Sequence, residues 1–165
     1  MTGTPPDAAY YRRLDISIAL ELAVAQLYER VSATFEQHRD FFWRLYIEEQ
    51  NHAALLKSLR ETFAHVNVTA TGLLDPDLLE LQTTVDAIRT FTARLSVDPP
   101  PIGAIVRFAL SLERGAGEEH YQHYMSVDPA TPPHQIFQRL NGDDKDHASR
   151  LERLLGELEP GTTQP

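Results

Sequence analysis

The chain has 165 residues, 42% of them hydrophobic and 24% charged, with a formal net charge of -9 at pH 7 and no cysteine. That length supports one domain with a sizeable core, and no stretch reaches the roughly 18 uninterrupted apolar residues of a membrane-spanning helix. The missing cysteine excludes disulfides, thiolate ligands, iron-sulfur clusters and rubredoxin-type iron within the chain, and the acidic balance, offset by no basic cluster, disfavours nucleic acid and anionic membrane as partners.

Residues 1–9 form a Thr/Pro/Gly-rich lead expected to be flexible, without the apolar core of a secretory signal, so a soluble, cytoplasmic protein is expected. A helical pattern begins near Tyr10. Leu14, Ile18, Glu21, Ala25 and Tyr28 recur at steps of three and four, beside a second apolar row of Leu20, Val24, Leu27 and Val31. Glu21 therefore stands inside an apolar stripe. Its ordinary reading is a boundary residue whose carboxylate reaches solvent.

The pattern loses its apolar members around residues 37–40, which predicts a short turn before a second helix. In that helix Leu45, Glu49, His52, Leu56 and Leu59 share one face. A lone Glu-x-x-His is most simply a polar break in such a face. After a turn-rich connection, Asp75-Pro76 reads as an N-cap with proline in the first turn. The helix that follows, at about 76–95, has a seam of Leu78, Leu81, Val85, Ile88, Phe91 and Leu95 with no buried acid or histidine, and reads as a scaffold or crossover element. Asp98 and Pro99 to Pro101 stop it. The next segment, 102–127, carries Ile105, Ala109, Leu112, Ala116 and His120 near one face with Glu113 against it; Gly115 and Gly117 each weaken a helix interior by roughly 1 kcal/mol relative to alanine.

The last helical stretch repeats the second one. Phe42, Arg44, Leu45, His52, Ala53, Leu56 and Leu59 meet identical residues at Phe137, Arg139, Leu140, His147, Ala148, Leu151 and Leu154, while Glu49 meets Asp144. Glu21 likewise matches Glu113. Each half of the chain thus presents a helix with one inward Glu, then a helix with an inward acid three residues before a His. A solvated face does not explain an acid and a histidine keeping their places among apolar positions twice. Four carboxylates in a core would repel one another and lose hydration, and two divalent cations cancel their charge. Carboxylate oxygen with imidazole nitrogen suits iron or manganese, with zinc as an alternative.

The phrases RLYIEEQNHAALL and RLNGDDKDHASRL, with Glu21 and Glu113, resemble the ferritin-like di-iron carboxylate proteins, most of all the rubrerythrin branch, over residues 10–156. The resemblance implies an all-α, ferritin-like four-helix bundle with a crossover helix between two helical pairs, followed by a flexible tail at 157–165. It implies two iron ions held by Glu21, Glu49, His52, Glu113, Asp144 and His147. Glu49 and Asp144 are then candidates to bridge the metals, Glu21 and Glu113 to be terminal ligands, and Tyr28 to stand just outside them. The implied activity is that of an oxidoreductase of rubrerythrin or ferroxidase type, oxidising Fe(II) or reducing peroxide or dioxygen, with an external electron donor in the peroxidase case. A homo-oligomer, as a homodimer, is implied as well. Two departures stand out: Asp144 is one methylene shorter than the family's Glu, and the cysteine-rich rubredoxin domain has no counterpart in the chain. The competing functions are an oxidase or hydroxylase of an organic substrate on the same centre, an iron-storage or iron-sensing protein, and a structural bundle with a vestigial site. His120 and His123, with Glu118 and Glu119, read either as a second metal site or as a solvated helix end; His38, His65 and His134 are expected in turns, and Tyr46, Tyr121 and Tyr124 as packing residues.

Overall fold

The computed structural model describes residues 8–65, 78–115 and 132–159. Five α-helices account for nearly all of them: α1 Ala8–Thr34, α2 Arg39–His65, α3 Leu78–Leu95, α4 Ile102–Arg114 and α5 Pro132–Leu158. The fold class is all-α, as expected, and no strand occurs among the described residues. Two helices, an intervening helix and two further helices follow one another in the order predicted. None of the described helices is long and apolar enough to cross a membrane. The chain divides into two compact units, Met1–Val97 and Asp98–Pro165.

In the first unit α1 packs against both α2 and α3, which explains why it carries two apolar rows rather than one. Leu14, Ile18, Leu20, Val24, Ala25, Leu27, Tyr28 and Val31 are all buried. The helix ends where Phe35 leaves helical geometry, with φ -115 and ψ 86, and a single 3-10 turn at Glu36–His38 leads into α2. So short a connection folds α2 back along α1. Arg60 near the end of α2 accordingly meets Asp15 near the start of α1 at 2.5 Å, with its guanidinium 5.7 Å from the Tyr11 ring. On α2 the predicted stripe of Leu45, Glu49, His52, Leu56 and Leu59 is buried throughout. The seam of α3 is buried at Leu81, Val85, Ile88 and Leu95, whereas Leu78 and Phe91 are half-buried.

In the second unit α4 packs against α5. Ion pairs join Arg107 to Glu159, just past the end of α5, and Arg114, the last residue of α4, to Glu152 one to two turns earlier on α5, an order that runs opposite along the two helices and marks an antiparallel pair. Buried on α4 are Ile105, Val106, Ala109, Leu110 and Glu113, so the inward face is centred on Ile105, Ala109 and Glu113, and Leu112 is half-buried. The helix closes at Gly115, whose N–H reaches the carbonyls of Ser111 at 3.0 Å and Leu112 at 3.2 Å. A Cβ at Gly115 would lie 2.9 Å from the Ser111 carbonyl oxygen, closer than a side chain tolerates. The sequence reading placed this glycine inside a longer helix; it is the C-cap instead. Residues 116–131, including Gly117, Glu118, Glu119, His120, His123, Tyr121 and Tyr124, lie outside the described residues, as does Asp75-Pro76. At the chain ends α1 already includes Ala8, and α5 continues to Leu158, past the tail boundary expected after residue 156. His38 closes the 3-10 turn as expected, but His65 is the last residue of α2 and His134 lies in the first turn of α5 rather than in turns.

Candidate metal centre

Among the described residues, the buried polar or charged side chains are Ser17, Glu21, Ser32, Glu49, His52, Glu113, Asp144 and His147. Apart from the two serines, every one is a residue the sequence reading named as a ligand. A helix face otherwise made of Leu, Ile, Val and Ala has no reason to retain carboxylates, because burying one costs several kcal/mol unless it is paired.

In the first unit, α1 presents Glu21 one turn before Ala25, and α2 presents Glu49 and His52 one turn apart. The spacing of three on α2 sets the acid and the imidazole side by side. His52 Nδ1 lies 3.1 Å from Glu49 Oε2 and 3.5 Å from Glu21 Oε2. Ligand atoms of Glu21, Glu49 and His52 all fall within 4.8 Å of one another, the span across which one cation reaches three donors. Glu21 and His52 hold protons tightly. Burial raises the Glu21 carboxyl from 4.5 to about 7, with His52 opposing the shift and the Glu49 charge reinforcing it. For His52 burial acts downward, but hydrogen bonds to Glu21 and Glu49 and their charges outweigh it, taking the imidazole from 6.5 to about 11. The protonated imidazole is thus held by its hydrogen bonds to the two acid side chains, and a divalent ion would compete with its proton for the same atoms.

In the second unit, α4 contributes Glu113 and α5 contributes Asp144 and His147, all buried. His147 Nδ1 lies 3.6 Å from Glu113 Oε2, against 3.5 Å for the matching pair His52 Nδ1 and Glu21 Oε2. The internal repeat therefore extends from residue types to the atoms they turn toward each other. It stops short at Asp144. Within a single unit, and among the described residues, Glu21, Glu49 and His52 are the one set of three ligand atoms mutually within 4.8 Å; Glu113, Asp144 and His147 form no such set.

Tyr28 is fully buried on α1, its ring 5.8 Å from that of Phe42 and tilted by 41°. Tyr46 stacks at 4.8 Å on the half-exposed Trp43 as a packing residue. The sequence reading passed over Ser17 and Ser32. Ser32 donates to the Glu29 carbonyl of its own helix at 2.7 Å, while Ser17 stands one turn before Glu21, where its place in the apolar stripe was the only available sign. The donor set, two carboxylates and an imidazole per unit with one Glu replaced by Asp, fits divalent iron or manganese and accepts zinc.

No protein-family model matches the chain, no curated protein matches it, and no solved structure matches it.

Proposed function

We propose that the protein is a dinuclear metal oxidoreductase resembling the rubrerythrin-like and ferroxidase members of the ferritin-like di-iron proteins, in which each half-site holds one iron ion. The observation that carries this reading is that the buried charged residues are the repeated Glu, acid and His of two matching helix pairs, with Nδ1 to Oε2 separations of 3.5 and 3.6 Å. A structural bundle needs none of those six side chains. Glu21, Glu49 and His52 would hold one ion and Glu113, Asp144 and His147 the other, with the helices fixing each donor to a packed backbone.

A pair of reduced irons held by these six side chains would supply the two electrons that, with two protons, convert one peroxide to two waters; in the ferroxidase case Fe(II) would itself be the substrate. The chain's own side chains supply charge balance. Four carboxylates would offset two divalent ions, and the buried Leu, Ile and Val side chains of the same helices keep water from each half-site. Because the chain has no cysteine, the electrons for a repeated cycle come from an external donor.

Anaerobic titration with Fe(II), followed by peroxide or dioxygen, tests the proposal. Wild-type protein is expected to take up two irons per chain and oxidise both. Glu49→Ala and His52→Ala are expected to lose that oxidation while keeping helical circular dichroism, since each removes a donor and neither removes a large apolar side chain. Full retention of iron oxidation in both variants, or no iron uptake by wild type, would defeat it.

A further inference from the structure

We infer that two adjoining clefts at the C-terminal end of α1 form a binding site for a planar nitrogen heterocycle with a hydroxylated, phosphorylated tail, of the flavin mononucleotide kind, whose reduced form would be the external electron donor. The donor role rests on the dinuclear reading; the binding does not.

Both clefts lie within the first unit. One, of about 540 Å³, is lined by Ser32 and Ala33 in the last turn of α1 and by Arg39, Asp40 and Trp43 at the start of α2. The other, of about 470 Å³, is lined by Gln26, Glu29, Arg30 and Ala33 of α1 and by Thr92 of α3. Each has the size of a small-molecule site, about 300–1,000 Å³. Ala33 lines both, so the two meet across one small side chain.

The first cleft suits the ring. Trp43, the chain's single tryptophan, is 47% exposed and is braced by the Tyr46 ring at 4.8 Å, which leaves a rigid aromatic surface for stacking. Arg39 stands one turn before it on α2, so guanidinium and indole are neighbours. The Arg39 ion pair with Glu36 is long, 4.0 Å, and both side chains are largely exposed, so turning the guanidinium toward a ligand costs little. It would favour the electron-rich reduced ring, whose carbonyl edge accepts its N–H groups, while Asp40 accepts a ring N–H. Across Ala33 the lining is polar: Gln26, Glu29 and the Thr92 hydroxyl suit a hydroxylated chain, and Arg30 its phosphate. A bare anion is poorly served, because Asp40 and Glu29 repel it.

The row behind Trp43 selects a redox-active ring. Trp43, Tyr46 and Glu49 follow one another on α2 at steps of three, and exposure falls from 47% at Trp43, through half-buried Tyr46, to 2% at Glu49. Six residues span about 9 Å of helix. A ring stacked on Trp43 thus stands at the outer end of an aromatic pair that leads to a candidate ligand. A reduced flavin releases two electrons and two protons as it becomes oxidised flavin, and one peroxide takes up both to become two waters.

Calorimetry and flavin emission, which a stacked tryptophan quenches, test the site on metal-free protein. Flavin mononucleotide is expected to bind saturably with its emission quenched. Trp43→Leu should weaken binding about tenfold, the scale of one lost aromatic stack, and abolish the quenching. Ala33→Phe, at an exposed helix position, should fill the junction and abolish binding while helical circular dichroism is kept. Riboflavin, which lacks the phosphate, should bind wild type about fivefold more weakly than the mononucleotide and Arg30→Gln about as well as the mononucleotide does. No flavin binding by wild type, or binding unchanged in both Trp43→Leu and Ala33→Phe, overturns the site. Adenosine monophosphate bound as tightly as flavin mononucleotide overturns the assignment to flavin. With oxidised, iron-loaded protein under nitrogen, reduced flavin mononucleotide should regain its visible absorption faster in wild type than in Ala33→Phe; equal rates overturn the donor role. Flavin binding by a protein that takes up no iron would remove the dinuclear reading, and the donor role with it, and leave the site standing.

Discussion

Glu21 and His52 bind protons more tightly in the folded chain than in an unfolded one, and the direction of both shifts fixes how stability follows pH. Glu21 rises from 4.5 to about 7 and His52 from 6.5 to about 11. For each group the folded state carries the extra proton between the two values, so its contribution is present at low pH and is lost as pH rises through the folded value. Metal-free protein should therefore melt at progressively lower temperature between about pH 5 and 9. General repulsion among surface carboxylates acts in the same direction, and Glu21→Gln separates the two: the variant keeps the surface charge but should show a shallower slope below pH 7. An equal slope in variant and wild type would remove Glu21 from the account. With metal bound, the ion replaces those protons and affinity grows with pH, so the loaded protein should be flatter or reversed. The six buried acids and histidines were legible in the sequence because a carboxylate or imidazole at an apolar position has few inexpensive explanations, and the repeat removed most of them. Ser17 and Ser32 were not. A hydroxyl satisfies itself on its own helix, as Ser32 does on the Glu29 carbonyl at 2.7 Å, so it enters an apolar stripe without leaving a pattern.

At the scale of elements, two glycines show what periodicity reads and what it misses. Gly115 and Gly142 each stand in or at the end of a helical run, and propensity alone assigns both a cost of about 1 kcal/mol. Their backbones differ. Gly115 closes α4 with its N–H shared between two carbonyls and with room for no Cβ, whereas Gly142 is an exposed interior position of α5 facing open space. Gly115→Ala should destabilise the protein by about 1 kcal/mol through the clash with the Ser111 carbonyl oxygen, and Gly142→Ala should stabilise it by roughly 0.5–1 kcal/mol by restricting the unfolded chain. Opposite shifts in urea midpoint at unchanged slope are the expected record; a stabilising Gly115→Ala would contradict the cap. The helices themselves were legible from steps of three and four, since α1, α2 and α3 each bury the stripe predicted for them, with Leu78 and Phe91 at the margins. On α4 the stripe holds at Ile105, Ala109 and Glu113 while Leu112 is half-buried, because the helix closes at Gly115; Ala116 and His120 lie outside the described residues.

For the whole molecule, charge is the term that metal binding would change most. The chain carries a formal charge of -9, and among the described residues six acids or histidines are buried, three in each unit. A ligand that binds only the folded state stabilises it by mass action, by about 4 kcal/mol when free metal is a thousand times its dissociation constant. In a protein of this length each kcal/mol moves the melting temperature by roughly 2–4 °C, so exhaustive chelation should lower it by about 8–16 °C. Any divalent ion also screens an acidic surface, and that effect must be told apart from coordination. Sodium chloride at matched ionic strength and calcium, a hard ion that prefers six to eight oxygens and has little use for imidazole, provide the comparison. Iron(II), manganese(II) or zinc should raise the melting temperature well beyond both, and His52→Ala should abolish most of the excess while leaving the salt effect in place. If calcium and sodium chloride match the transition metals, or if chelated and loaded protein melt together, the buried carboxylates and imidazoles are a polar core and the metal reading fails.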